Sequence, residues 1–317
     1  MVNHRTWQPG CRTDIDNIVH QYKAAVLNER HMKRYKIVHQ TVYDFSSMVQ
    51  LHPHTLRLRP REGHDLRIES SKLDITPAAT LRWQRDIEDN SVSIATFNTK
   101  TKKLNIQSET IIQKYDLSPH DFLLENYAVD YPFSYQHDDR ILLSPYMNFE
   151  AYDDSFLLND WVDGLWKYGE KVQTFDLLLR LNQRIYQTIS YCRREEEGVQ
   201  SAEFTLKNKS GSCRDSASLF MAAAQKLGFA ARFVSGYIYS DVAIAQSGAT
   251  HAWAEVFIPG AGWKGFDPTV GSIVGPDHIA IAVARRPESI PPIAGTFFGT
   301  PGAVMTVNVW VSQAKEG

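Results

Sequence analysis

From residue 35 to about 115 the apolar positions recur every second residue. Leu66 and Ile68 alternate with Arg67 and Glu69, Val92 and Ile94 alternate with serines, and Leu104 and Ile106 flank Asn105. Turn formers separate these runs at residues 60–63, 76–77, 88–90 and 99–103. Short period-two runs between turns predict an antiparallel β-sandwich or small barrel. After about residue 118 the period lengthens. Phe175, Leu178, Leu181, Ile185 and Ile189 share one face of a helix that Thr174 is placed to cap. Residues 156–168 read as an earlier helix whose aromatics fill a core. Ser212 opens a third, with Ala217, Phe220, Met221, Ala224 and Leu227 as its buried stripe and Gly228 where a C-terminal cap belongs. Strands follow at 231–239, 250–258, 263–267, 279–284 and 304–312. Helices first and antiparallel strands after them make an α+β order.

These shifts divide the chain into residues 1–33, an extension with a short helix capped by Asp14 and striped by Ile15, Ile18, Val19, Tyr22 and Val26; 34–117, a β-rich domain; and 118–317, the α+β domain. The length of 317 residues fits two domains with a substantial core. Charge adds little: 34 Lys+Arg against 36 Asp+Glu exclude a broad basic footprint, so no nucleic-acid partner is expected. No apolar run reaches the roughly 18–20 residues that cross a bilayer, and no apolar leader is visible, so a cytoplasmic protein without a membrane partner is expected. The three cysteines, Cys11, Cys192 and Cys213, cannot build a disulfide framework. His52 and His54 flank a proline without further ligands nearby, so neither a metal nor another cofactor is expected.

One thiol stands out. In Gly211-Ser212-Cys213-Arg214-Asp215 the Gly-Ser pair turns the chain into a helix whose first residue is Cys213. Unpaired N–H groups and the helix dipole favour a thiolate there. Ser212 and Asp215 have capping-box spacing, and Asp215 either caps the helix or pairs with Arg232. Taken alone, the same residues also describe a small buried cysteine behind a cap.

A second segment shifts the balance. Alternation along His251-Ala252-Trp253-Ala254-Glu255-Val256-Phe257-Ile258 puts the apolar even-numbered residues on the core side and His251 and Trp253 on the other. If the following turn centres near Pro259, Asp267 falls directly opposite His251, within reach of a His–Asp hydrogen bond. A turn centred between Gly260 and Ala261 breaks that alignment unless a bulge restores it. Cys213, His251 and Asp267 together form a nucleophile, base and orienter. Trp253 is the candidate wall of a substrate cleft, or else packs against the β-rich domain. Glu255 reads as a solvated strand charge, Ser235 and Tyr237 as possible lining, and His278, after Gly275-Pro276-Asp277, as a second-choice base in a loop.

The strings Gly-Ser-Cys-Arg-Asp-Ser-Ala, Ala-Ala-Arg-Phe-Val-Ser-Gly-Tyr, His-Ala-Trp-Ala-Glu-Val and Gly-Trp-Lys-Gly-Phe-Asp-Pro-Thr resemble the bacterial transglutaminase-like family, whose members are often described as cysteine proteases. Residues 34–39 and 54–60 resemble the β-rich domain that commonly precedes its catalytic domain, and residues 278–283 with Pro291-Pro292 resemble the family's ending. The resemblance implies a papain-like, transglutaminase-like core and puts the family's catalytic cysteine, histidine and aspartate on Cys213, His251 and Asp267. It implies a thiol-dependent acyl-transfer enzyme acting on amide bonds of a peptide or protein substrate; hydrolysis is preferred because water is always available and no acceptor site is legible. Transfer to an amine is the close alternative, and a non-catalytic peptide-binding module the distant one. The sequence departs from papain-like enzymes at Lys207, where they hold an oxyanion-binding glutamine. It leaves the second oxyanion donor and the oligomeric state unassigned.

Overall fold

The computed structural model describes residues 32–115, 121–147, 156–194, 196–240 and 250–314. The helix expected after Asp14, and Cys11, lie outside these residues.

Six strands come first: β1 (Lys33–Leu51), β2 (His54–Leu56), β3 (Leu66–Thr76), β4 (Ala79–Arg85), β5 (Ser91–Phe97) and β6 (Lys100–Lys114). In β1 the period of two persists, burying Tyr35, Ile37, His39 and Thr41 while the residues between them stay partly open. Two antiparallel sheets form, one holding β1, β6 and β3 and the other holding β2, β5 and β4. Val49, Leu51, Leu56, Ala95, Phe97, Leu104 and Ile106 pack together in one core. Each of the larger side chains contributes roughly 1.5–3 kcal/mol by leaving water.

The next segment carries two short strand pairs, β7 (Asp130–Tyr131) with β8 (Val172–Gln173), and β9 (Ser190–Tyr191) with β10 (Ser210–Gly211). Among the described residues five α-helices accompany them: α1 (His137–Met147), α2 (Phe156–Asp163), α3 (Thr174–Thr188), α4 (Ala202–Asn208) and α5 (Cys213–Lys226). Thr174 is the first residue of α3 rather than its cap; the cap position belongs to Gln173. A five-stranded antiparallel sheet follows, built from β11 (Ala231–Ile238), β12 (His251–Ile258), β13 (Gly262–Asp267), β14 (Ser272–Ile273) and β15 (His278–Ala284) in the order β14-β13-β12-β11-β15. α5 is buried well beyond its expected stripe because its small residues, Ala217, Ala222, Ala223 and Ala224, let neighbours close on several sides. Phe220 stacks on Phe266 of β13 with ring centroids 5.2 Å apart. Gly228, at φ 87°, ends the helix in the left-handed conformation that glycine adopts without a Cβ penalty.

The tail departs from expectation. The sequence reading runs the second domain to residue 317, but β16 (Ile293–Ala294), β17 (Phe297–Phe298) and β18 (Ala303–Gln313) join the first domain's sheets. β16 pairs with β2, and β18 pairs with β1 from Tyr35↔Gln313 to Phe45↔Ala303. The cause is a strand with no charged residue, alternating through Val307, Val309 and Val311, beside a long strand with an edge to fill.

The two units share a core of Tyr35, Ile37, Leu66, Ile112 and Val309 with Tyr237, Ile279 and Ile281. Asn90 imitates a strand along the β15 edge, donating to Val283 O and accepting from Val283 N, both at 2.8 Å. The β-rich unit therefore braces the strand that begins with His278. Among the described residues, no helix is long and apolar enough to cross a membrane.

Candidate active site

Cys213 begins α5 and is 8% exposed. Its position is set by the loop before it. Lys209, at φ 51°, turns the chain out of α4 into β10, which lies parallel to β9 with Gly211 beside Tyr191. Gly211 needs to be glycine, since a Cβ there would sit 2.8 Å from Asp215 Cβ. Asp215 is wholly buried and holds the helix start. Its Oδ2 accepts from Ser212 N and Ser212 Oγ at 2.7 Å each, and Oδ1 from Arg194 Nη1 at 2.6 Å and Gln200 N at 2.7 Å. Burial alone would raise the Asp215 carboxyl, but these donors hold it below its ordinary value. Arg194 is thus the charge partner; Arg232 pairs instead with Glu255 at 2.7 Å and lies over the Trp263 ring. The expected solvated Glu255 is half-buried and paired, because β11 puts Arg232 directly opposite it.

His251 opens β12, and its Nε2 lies 2.6 Å from Asp267 Oδ2. The Cys213 side chain acts on the same ring and favours its protonated form. With Nε2 taken by the carboxylate, Nδ1 is left for the thiol. Burial pulls the His251 ring down, yet Asp267 and Cys213 more than offset it and push its value up to about 10. Asp267 is 0% exposed; burial would raise its carboxyl, but His251 and His278 hold it well below the usual carboxylate range.

The hairpin reaches this arrangement by a different register from the expected one. The ladder runs from Ile258↔Gly262 to Ala254↔Phe266, so the turn centres on Gly260, at φ 87°. Continued by one step, Asp267 falls opposite Trp253 and is diagonal to His251. The face is unchanged because the displacement is two residues, and diagonal neighbours remain within reach of long side chains.

Trp253 does not wall an open cleft. It is 1% exposed and packs with Val234 and Val283, its ring edge-on to His278 at 5.2 Å between centroids. Gly236 makes room for it: a Cβ there would lie 2.5 Å from the indole. Tyr237 is buried and bonds His39 of β1 at 2.8 Å, so it serves the junction between the units rather than the site. Ser235 is buried as well. Lys207 is exposed on α4, and Cys192 is exposed beside the nucleophile loop, its N–H donating to Gly211 O at 2.8 Å. His54 bonds the carbonyl of His52 at 2.8 Å, a local strand-end role.

His278 is not in a loop. It is buried at the start of β15 with Nε2 3.1 Å from Asp267 Oδ2. A sequence reading has no means to see this, because the contact depends on where β11 seats β15. His251, Asp267 and His278 lie close enough to suggest a metal centre. The donor chemistry is wrong for one: Gly275 N–H donates to His278 Nδ1 at 3.2 Å, which leaves the proton, not a lone pair, on Nε2. Asp267 Oδ2 instead gathers the Nε2 atoms of both imidazoles.

Comparison with known proteins agrees with this architecture. Residues 35–113 match the bacterial transglutaminase-like N-terminal region, and residues 167–268 match the transglutaminase-like superfamily. Uncharacterized proteins of Mycobacterium tuberculosis (strain ATCC 25618 / H37Rv) and Mycobacterium bovis are each 27% identical over 295 residues, covering 87% of this chain and 91% of theirs. The solved structure of "a Putative Cysteine Protease from Cytophaga hutchinsonii" shares the fold, with a TM-score of 0.68 at 18% identity, over 90% of this chain and 92% of that one. The chain thus joins a bacterial transglutaminase-like N-terminal region, residues 35–113, to a transglutaminase-like core, residues 167–268.

Proposed function

We propose that this protein is a thiol-dependent acyl-transfer enzyme that cleaves amide bonds of peptides or proteins and passes the acyl group to water. The observation that carries the reading is the His251 ring held between the Cys213 thiol and the buried Asp267 carboxylate. The thiol proton moves to His251, and the sulfur attacks the carbonyl carbon. The oxyanion that forms meets the Cys213 backbone N–H, which has no acceptor within a helix it begins. As the C–N bond breaks, the imidazolium gives its proton to the leaving amine, and a thioester remains on Cys213. Water then attacks the thioester, His251 takes its proton, and sulfur leaves with the acid released. Asp267 stabilises the imidazolium in both halves.

Iodoacetamide at neutral pH, read by peptide mass spectrometry, is expected to label Cys213 faster than Cys192, although Cys192 is the exposed thiol. Equal, slow labelling removes the activated nucleophile. A glutamine-containing peptide library, incubated with and without a primary amine, then reads the acceptor. Cleavage or deamidation supports hydrolysis, and a mass gain equal to the amine less ammonia assigns transfer instead. No product, with a folded Cys213→Ala control behaving identically, overturns the enzyme reading.

A further inference from the structure

His278 touches the carboxylate that orients His251, yet the acyl-transfer steps do not consume it. Its Nε2 approaches Asp267 Oδ2 at 3.1 Å, the same oxygen that His251 Nε2 meets at 2.6 Å. The far side of the ring fixes its tautomer. Gly275 N–H donates to Nδ1, so the His278 proton sits on Nε2 and faces Asp267. Thr269 N–H ties the other carboxylate oxygen at 3.0 Å. A buried carboxylate so held cannot rotate without leaving a donor unpaired.

We propose that His278 is a positioning residue for Asp267: as a fixed Nε2–H donor it locks the carboxylate's rotamer and takes a share of the charge on Oδ2, limiting how tightly Asp267 grips the His251 proton. This rests on the acyl-transfer reading above. His251 must both accept a proton from the thiol and surrender it to the leaving amine, and an imidazolium held too firmly is a poor acid. A second donor on Oδ2 lowers the basicity of that oxygen and loosens the grip.

The surrounding charges leave this role to His278. The His251 ring faces Cys213 from α5 and Asp267 from β13; Tyr191 lies near the thiol, and Arg193 and Arg214 lie near Tyr191. His278 also feels Asp277, but that carboxylate is bound by Lys33 Nζ at 2.9 Å and Tyr35 OH at 2.5 Å from β1. Trp253, edge-on to the ring, adds packing without charge.

The test needs no substrate. The rate of iodoacetamide alkylation at Cys213 is followed from pH 5 to 11 in wild type, His278→Gln and His278→Leu, with Cys192 in the same digest as internal reference. The alkaline step in that profile reports deprotonation of His251 beside the thiolate. It is expected about one pH unit higher in His278→Leu and close to wild type in His278→Gln, whose amide still donates. Ring 15N NMR of the wild type at pH 8 is expected to place the His278 proton on Nε2. An alkaline step unmoved in His278→Leu, or a proton found on Nδ1, overturns the inference. If His278→Leu does not fold, a His278→Gln step shifted upward, or the wild-type tautomer on Nδ1, still refutes it. Wild-type Cys213 reacting no faster than Cys192 sinks the acyl-transfer reading instead, and the tautomer measurement tells the two failures apart.

Discussion

Asp215→Asn is the most informative perturbation of the nucleophile's mounting. The carboxylate accepts from four donors, Arg194 and Gln200 on one oxygen and both groups of Ser212 on the other. An asparagine offers one acceptor oxygen and one donor NH2. Its best orientation turns oxygen toward Arg194 and Gln200, where the ionic character of the Arg194 bond is lost. The NH2 then faces Ser212, whose hydroxyl can reverse and accept, while the Ser212 N–H is left buried and opposed. One orphaned donor costs about 1–3 kcal/mol, and breaking a buried ion pair from one side costs roughly 3–5 kcal/mol; with the hydroxyl's rescue, a loss of about 3 kcal/mol follows. Urea unfolding followed by tryptophan fluorescence reads the stability, and Cys213 alkylation reads whether the helix start has moved. The Asp215 carboxyl is depressed on folding, so its contribution is present above about pH 3.9, the unfolded value, and is lost as pH falls through the lower folded one. The asparagine variant should lack that acid-side dependence. A variant within about 0.5 kcal/mol of wild type, with unchanged Cys213 labelling, would refute the assignment of Asp215 as the anchor.

Two other outcomes follow from the same geometry. Gly236→Ala places a Cβ 2.3 Å from the Ile279 backbone oxygen and 2.5 Å from Trp253, so β15 or the indole must move. A destabilisation of about 1–3 kcal/mol is expected, together with slower Cys213 alkylation, because Gly236 stands opposite His251 in the sheet; a neutral result in both urea unfolding and labelling contradicts that tight packing. The His251 ring is raised to about 10 in the fold, so the stability it contributes is full below about pH 6.5, declines above it and is gone beyond about pH 10. The difference in urea midpoint between wild type and His251→Gln should therefore shrink steadily from pH 7 to 10.5, and a constant difference argues against the charged ring.

The parity of β12 is readable because alternation survives any shift of two residues, so a turn centred on either Pro259 or Gly260 puts His251 and Asp267 on one face. The turn itself was not readable: Pro259, Gly260, Ala261 and Gly262 offer several centres, and only tertiary contact selects Gly260. Cys213 is legible through its company: a Gly-Ser turn before an amphipathic run also describes a capped buried cysteine, and the segments holding His251 and Asp267 shift the balance. For Trp253 the sequence leaves a cleft wall and a packed position both open, because its cover is distant in sequence, namely the bare backbone of Gly236 and the side chain of Val283. His278 failed for the same reason, since Gly275-Pro276-Asp277 reads as a loop until β11 supplies a neighbour. The last strand was recognised as a strand, but alternation carries no address and could not say that its partner was β1.

That partnership reaches into biosynthesis. β1 is among the first described residues to leave the ribosome and β18 among the last, with the whole transglutaminase-like unit between them. At about 5–20 residues per second, one flank of β1 waits on the order of tens of seconds for its mate. During that interval a long alternating strand lies open to foreign edges, the geometry that invites mispairing and aggregation. The finished molecule gains from the same order. Because strands of a single sheet clasp the transglutaminase-like unit before and after, cutting one connecting segment does not release it from its neighbour.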